Sequence, residues 1–99
     1  MKNIYMVEFD VPYPMSPEFA SLIPAQRSRA DKLMADQKIL SYSLSMDRRK
    51  LWVIFSAETD SELFQLITDL PLTPYMHYEY EELMFHNAPW MLLPAPSMN

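Results

Sequence analysis

DLPLTPYMHYEYEELMFH, at residues 69–86, is the stretch that decides the fold of this chain. Pro71 ends any helix that precedes it, because proline has no N–H to donate and its ring clashes with the preceding turn. The residues from about Pro74 to Phe85 alternate in character, which predicts a β-strand. One face of this strand is aromatic or apolar and carries Met76, Tyr78, Tyr80 and Met84. The other face is polar and carries Tyr75, His77, Glu79 and Glu81. The polar face presents a histidine and carboxylates, which makes it the first place to look for function.

Three other stretches alternate between apolar and polar residues. They predict strands at residues 2–11, 39–46 and 51–57. The last two are separated by the short polar segment 47–50, so we expect them to form an antiparallel hairpin.

Two helix starts separate these strands. Residues 16–18 supply a serine N-cap, a proline in the first turn and an acid beside it. Pro24 either kinks this helix or begins its main part, at residues 24–37. Residues 59–62 fit a capping box that opens a second helix.

The order strand, helix, strand, strand, helix, strand predicts an α+β fold. It is the ferredoxin-like βαββαβ arrangement, with two helices on one face of a four-stranded antiparallel sheet, here over residues 1–86. Residues 87–99 form a proline-rich apolar tail, either disordered or, as its run of apolar residues favours, packed on a neighbouring subunit. The apolar sets expected under the helices are Tyr5, Val7 and Phe9; Leu40, Tyr42 and Leu44; Leu51, Val53 and Phe55; and Tyr78 and Tyr80.

The opposite face of the predicted sheet, here called the open face, mixes apolar and polar side chains. It carries Met6, Glu8, Ser41, Ser43, Trp52, Ile54, His77 and Glu79. This mixture is too apolar for bare solvent and too polar for a dry core. It predicts a homodimer whose facing sheets enclose a cavity for a small molecule.

Composition excludes several classes of function. The 99 residues include no cysteine, which removes disulfides, thiolate zinc sites and cysteine nucleophiles, and no glycine, which removes phosphate-cradling and dinucleotide-binding loops. The net charge of −5 disfavours nucleic-acid binding. No apolar segment suits a membrane helix or signal peptide, so we expect a cytoplasmic protein with no membrane partner. We expect no cofactor and no metal site.

The run LPLTPYM, at residues 70–76, resembles the muconolactone isomerase family of dimeric α/β-barrel proteins. The resemblance extends over roughly residues 4–87 and includes Met15 and Pro17 before the first helix and His86 after the last strand. It implies paired ferredoxin-like protomers, often assembled into larger rings. It also implies a cofactor-independent reaction that moves a proton within a small unsaturated lactone from aromatic-compound breakdown.

Such a reaction needs a base, an acid and a donor to the developing enolate oxygen. Glu8, His77 and Glu79 are the candidate catalytic residues. Burial beside apolar side chains is expected to raise a carboxylate's pKa toward neutrality. The candidate substrate-binding residues, as polar anchors or as walls of the site, are Arg27, Ser43, Trp52, Ile54 and Tyr75.

Other interpretations stay open at this point. His77 also suits a hydrogen-bonded interface residue, and Arg27 suits an ion pair on its own helix. The chain is then a non-catalytic small-molecule binder or an oligomeric assembly module of the same superfamily. A third hypothesis is haem or oxidative chemistry with His77 as the axial ligand.

Overall fold

A computed structural model describes residues 2–88 of the chain. The predicted packing of the tail on a neighbouring subunit concerns residues outside this range, apart from 87 and 88. The elements are β1 (Asn3–Asp10), α1 (Pro17–Ala35), β2 (Ile39–Leu44), β3 (Lys50–Ala57), α2 (Asp60–Thr68), a short 3-10 helix (Thr73–Tyr75) and β4 (His77–Leu83). This order confirms the predicted βαββαβ fold.

The four strands form one antiparallel sheet in the order β2-β3-β1-β4. In the centre of the sheet, Val7 of β1 lies opposite Val53 of β3 on one side and Tyr80 of β4 on the other. Because side chains alternate between the faces of a strand, this register collects the apolar sets on one face. That face packs against α1 and α2, where Phe19, Leu63 and Ile67 are buried.

The predicted caps are present at both helices. Ser16 Oγ accepts a hydrogen bond from the Phe19 N–H at 3.1 Å, and Thr59 Oγ1 accepts one from the Glu62 N–H at 3.1 Å. The first helix begins at Pro17 and continues past Pro24. The alternative in which its main part begins at Pro24 is therefore wrong.

The start of the last strand and the register of the second strand differ from the sequence predictions. The last strand begins at His77 rather than near Pro74, and Tyr75 lies in the 3-10 helix that precedes it. In β2 the register shifts between Ile39 and Ser41. Ile39, which is 2 % exposed, therefore takes the core position predicted for Leu40, and Leu40 becomes the extra residue of a bulge.

Within residues 2–88, no helix has the length and apolar character needed to cross a membrane.

Candidate functional site

The strand register brings the predicted open-face residues together. Glu8 lies opposite Trp52 on β3 and opposite Glu79 on β4, and Ser43 of β2 lies opposite Trp52. In the adjacent set of cross-strand neighbours, Ile54 lies opposite Ser41 on one side and Met6 on the other. In the set on the other side of Glu8, His77 lies opposite Asp10. All eight predicted residues therefore share the face that the helices leave uncovered.

Glu8 is held in an ionised state on this face. One carboxylate oxygen accepts a hydrogen bond from Trp52 Nε1 at 3.0 Å, and the other accepts one from Lys50 Nζ at 3.0 Å. Lys50 also forms an ion pair with Asp10. The hydrogen bonds from Lys50 and then Trp52 hold the pKa of Glu8 below its ordinary value. The expected rise in its pKa is therefore wrong for the protomer, and Glu8 is poorly suited to remove a proton from carbon.

Two of the predicted binding residues lie on the other side of the sheet. Arg27 belongs to α1, and Tyr75 packs edge to face against Phe19 of α1 with ring centroids 6.1 Å apart. A ligand on the open face of a protomer cannot touch either residue of that protomer, because the sheet intervenes. The predicted site therefore divides into an open-face group and a helix-side group.

Arg27, but not Tyr75, borders a cleft of about 570 Å³ between α1 and the β2–β3 half of the sheet. Its walls are mainly apolar, from Phe19 and Ile23 of α1, Leu51 and Val53 of β3, and Leu72 after α2. The polar side chains that line it are those of Gln26, Arg27, Tyr42 and Arg48. An apolar cavity with a few polar groups is the usual form of a small-molecule site.

Tyr42 connects the cleft to a carboxylate. Its hydroxyl donates a hydrogen bond to Asp31 Oδ1 at 3.1 Å. Burial, and then the hydrogen bond and charge of Asp31, raise the pKa of the Tyr42 phenol, while the positive charge of Arg27 opposes this rise. The phenol is therefore protonated at neutral pH, with an acceptor for its proton already in contact.

The four arginines fall into two pairs. Arg29 forms a salt bridge with Asp69, and the guanidinium of Arg49 lies 4.3 Å from the centroid of the Tyr13 ring. Arg27 and Arg48 form no salt bridge within residues 2–88, and both line the cleft. The cleft therefore presents two cations that form no salt bridge in the part of the chain that the structure describes.

Arg48 is held in place by the β2–β3 turn. Its backbone is left-handed, with φ of 65°, and its N–H donates to the Ser45 carbonyl at 2.9 Å. Ser45 Oγ also accepts a hydrogen bond from the Lys50 N–H at 3.0 Å, and Asp47 Oδ1 accepts one from the Arg49 N–H at 3.0 Å. These bonds stabilise a conformation that is uncommon for a residue with a side chain.

Sequence analysis did not identify three of the polar residues in this cleft. Tyr42 was predicted as a side chain packed under the helices, and Arg48 and Gln26 were not predicted as site residues. Their shared signal is weak, since each is a single polar residue beside an apolar pattern. Within residues 2–88, no three His, Cys, Asp or Glu side chains are grouped so as to hold a metal ion.

One four-stranded antiparallel sheet with two helices on one face defines the chain as a ferredoxin-like α+β protein. The family model of muconolactone delta-isomerase matches residues 4–88. The chain therefore belongs to the muconolactone delta-isomerase family, which confirms the resemblance seen in residues 70–76.

The fold is also similar to that of a muconolactone isomerase whose structure has been solved. The crystal structure of muconolactone isomerase at 3.3 Å resolution matches with a TM-score of 0.69 and 22% sequence identity, covering 86% of this chain and 92% of that chain. No curated protein matches the chain.

Proposed function

We propose that the protein is a cofactor-independent isomerase that moves a proton within a small unsaturated lactone, or a related intermediate of aromatic-compound degradation. Family membership over residues 4–88 supports this class of reaction. The observation that carries the proposal is the cleft, whose apolar walls accompany two arginines that form no salt bridge within residues 2–88. A lactone with a carboxylate side arm has the matching chemistry.

Arg27 and Arg48 bind the carboxylate of the substrate at the mouth of the cleft. Guanidinium groups suit this task because they donate paired hydrogen bonds to both oxygens of a carboxylate. The unsaturated ring then lies against the apolar residues deeper in the cleft. A volume of about 570 Å³ is sufficient for one small ring compound.

Tyr42 and Asp31 transfer the proton. As the proton leaves the substrate carbon for the Tyr42 oxygen, the hydroxyl proton of Tyr42 passes along its hydrogen bond to Asp31. The electron pair of the broken C–H bond moves into the conjugated system of the lactone. Reverse transfer delivers a proton to another carbon of that system, so the product is an isomer and both residues return to their original state.

Glu8, His77 and Glu79 remain a rival proposal for the catalytic group. They face away from the cleft of their own protomer, so they require a substrate enclosed between two protomers. The lowered pKa of Glu8 makes it a weak base in this rival site.

A second candidate function is non-catalytic binding of a small anion. The observation in its favour is that, within residues 2–88, the side chains lining the cleft include no carboxylate and no imidazole. Among the lining residues that the structure describes, Tyr42 connects the cleft to a base through its hydrogen bond to Asp31. If Tyr42 and Asp31 transfer no proton, the two arginines and the apolar walls still bind an anionic ring compound.

We also propose that the protein is a cytoplasmic homodimer, or a larger ring of such dimers, in which the open faces of two protomers pack together. Met6 is 41% exposed on this face, and Trp52 is only half-buried. Covering these side chains removes apolar surface from water. Lys50 forms ion pairs with Glu8 and Asp10, which compensates part of the negative charge that such packing would bury.

Exchange of deuterium from heavy water into muconolactone tests the isomerase proposal. We expect the native protein to catalyse exchange and Tyr42→Phe to lower the rate at least tenfold, with Tyr13→Phe as the matched control outside the cleft. If Glu8→Gln with His77→Ala abolishes exchange and Tyr42→Phe does not, the rival open-face site is correct. Binding of muconolactone without exchange would support the non-catalytic function.

A further inference from the structure

Gln26 is a buried polar side chain that the fold orients toward the cleft. It lies in α1, is 8% exposed and lines the cleft between Arg27 and the segment that follows α2. Burying an amide without hydrogen-bond partners is unfavourable, so each of its polar atoms requires an explanation.

Its oxygen has a partner in the protein. The Leu72 N–H donates a hydrogen bond to Gln26 Oε1 at 2.9 Å. An N–H can only donate, so the amide is oriented with its oxygen toward Leu72 and its NH₂ group away from it. The NH₂ group makes no hydrogen bond within residues 2–88. Its nitrogen is nevertheless not fully buried, so it remains accessible to solvent. Gln26 lines the cleft, so the accessible NH₂ group borders this space.

The backbone that orients Gln26 is itself fixed. Leu72 is 5% exposed, and the next residue, Thr73, donates from Oγ1 to the Ile67 carbonyl at 2.6 Å and from its N–H to the Leu70 carbonyl at 3.1 Å. The run at residues 70–76 thus secures the donor that holds the Gln26 amide. A donor held before the ligand arrives needs no reorganisation during a reaction.

We propose that Gln26 is a catalytic residue whose Nε2–H donates to the lactone carbonyl oxygen. The inference rests on the proposed function, in which the proton leaves carbon for the Tyr42 oxygen. The electron pair left on carbon then shifts to that carbonyl oxygen, which becomes an enolate oxygen as the proton departs. The hydrogen bond from Gln26 strengthens as negative charge develops on this oxygen. The electron pair returns to carbon when the proton is delivered.

Gln26→Glu is the most direct test of the donor. The carboxylate still accepts from the Leu72 N–H, so the fold is retained, but the donors to the ligand are lost. Removing one such donor typically lowers kcat about 10²-fold to 10³-fold, and we expect a fall of about 10²-fold in the exchange rate with little change in KM. The matched control, Gln65→Glu, changes an exposed residue of α2.

The pH profile separates a catalytic role from a structural one. A protonated carboxyl carries an O–H donor, so the rate of Gln26→Glu relative to the native rate should rise as pH falls through the pKa of the new carboxyl. A purely structural role gives no such recovery. A flat ratio, or exchange at the native rate in Gln26→Glu, would overturn the proposal.

Carbonyl vibrational spectroscopy tests the donor without turnover. The probe is but-2-en-4-olide labelled with ¹³C at the carbonyl, an unsubstituted unsaturated lactone. We expect its carbonyl stretch to shift to lower frequency on binding to the native protein, and to lose this shift in Gln26→Met, with folding of the variant checked by thermal unfolding. No binding, or the same frequency in both proteins, would refute the donor role. A shift that depends on Gln26 in a protein that exchanges no deuterium would retain the donor role and reject the isomerase.

Discussion

Replacing Arg27 with glutamine tests whether the cleft selects anions. Benzoate and benzamide are suitable probes because they share a ring and a planar head group and differ in charge. Arg27 and Arg48 have no salt bridge to break within residues 2–88, so their substitution should alter ligand binding without disturbing another ion pair. Arg27→Gln and Arg48→Gln should therefore weaken benzoate binding and leave benzamide binding nearly unchanged.

The size of the expected change in benzoate affinity follows from the exposure of the two guanidinium groups. A hydrogen bond to a charged group contributes about 1.5–3 kcal/mol, the upper values belonging to desolvated sites. Arg27 and Arg48 are both exposed in the free protein, so the lower end applies. A loss of about 1.5 kcal/mol is about a tenfold increase in Kd for benzoate. The double variant should approach a hundredfold increase, if the two arginines bind separate oxygens and their effects add.

Isothermal titration calorimetry with both probes measures these changes. Lys32→Gln is the matched control, since it removes one positive charge from the same helix at an exposed position that does not line the cleft. An equal loss of benzoate affinity in Lys32→Gln would show a general effect of net charge. Unchanged benzoate affinity in the double variant would refute the assignment of the arginines.

Three further predictions concern stability and assembly. The pKa of Glu8 in the folded protein lies below its ordinary 4.5, so Glu8 stabilises the fold above pH 4.5 and loses this contribution as pH falls through the lowered value. In urea unfolding, Glu8→Gln should therefore lose less stability in acid than the native protein. Leu63 is 0% exposed, so Leu63→Ala should lower the unfolding free energy by about 2–5 kcal/mol in chemical denaturation. The same change at Leu44, which is 54% exposed, should have a much smaller effect. Ile54→Glu adds a charge to the open face and should convert a dimer to monomers in sedimentation velocity, whereas a native protein that sediments as a monomer would contradict the proposed dimer.

Much of the fold could be predicted because the local signals agree with one another. In β1, Glu8 and Asp10 alternate with Val7 and Phe9 and so indicate which side chains meet the helices, and serine or threonine caps mark where the helices begin. The failure in β2 has a physical cause. Ile39 and Leu40 are both apolar, so a pattern of period two does not determine which of them faces the core, and a bulge reverses the expected choice.

The candidate site was harder to predict because it depends on which elements share a side of the sheet. Alternation places Glu8 and Trp52 together, and the structure confirms this. A residue of α1 such as Arg27 lies on the helix-covered side, so it cannot join them within one protomer. The amide of Gln26 depends on a hydrogen bond to Leu72, 46 residues away in sequence, which no local pattern signals.

The pairing of charges distinguishes the two faces of the sheet. On the open face, Lys50 binds both Glu8 and Asp10, so these carboxylates have a cationic partner within the protomer. In the cleft, Arg27 and Arg48 remain without acidic partners within residues 2–88, although the chain as a whole carries a net charge of −5. Leaving cations unpaired in an acid-rich protein is expected where an external anion completes the site. This asymmetry favours the cleft over the open face as the place where substrate binds.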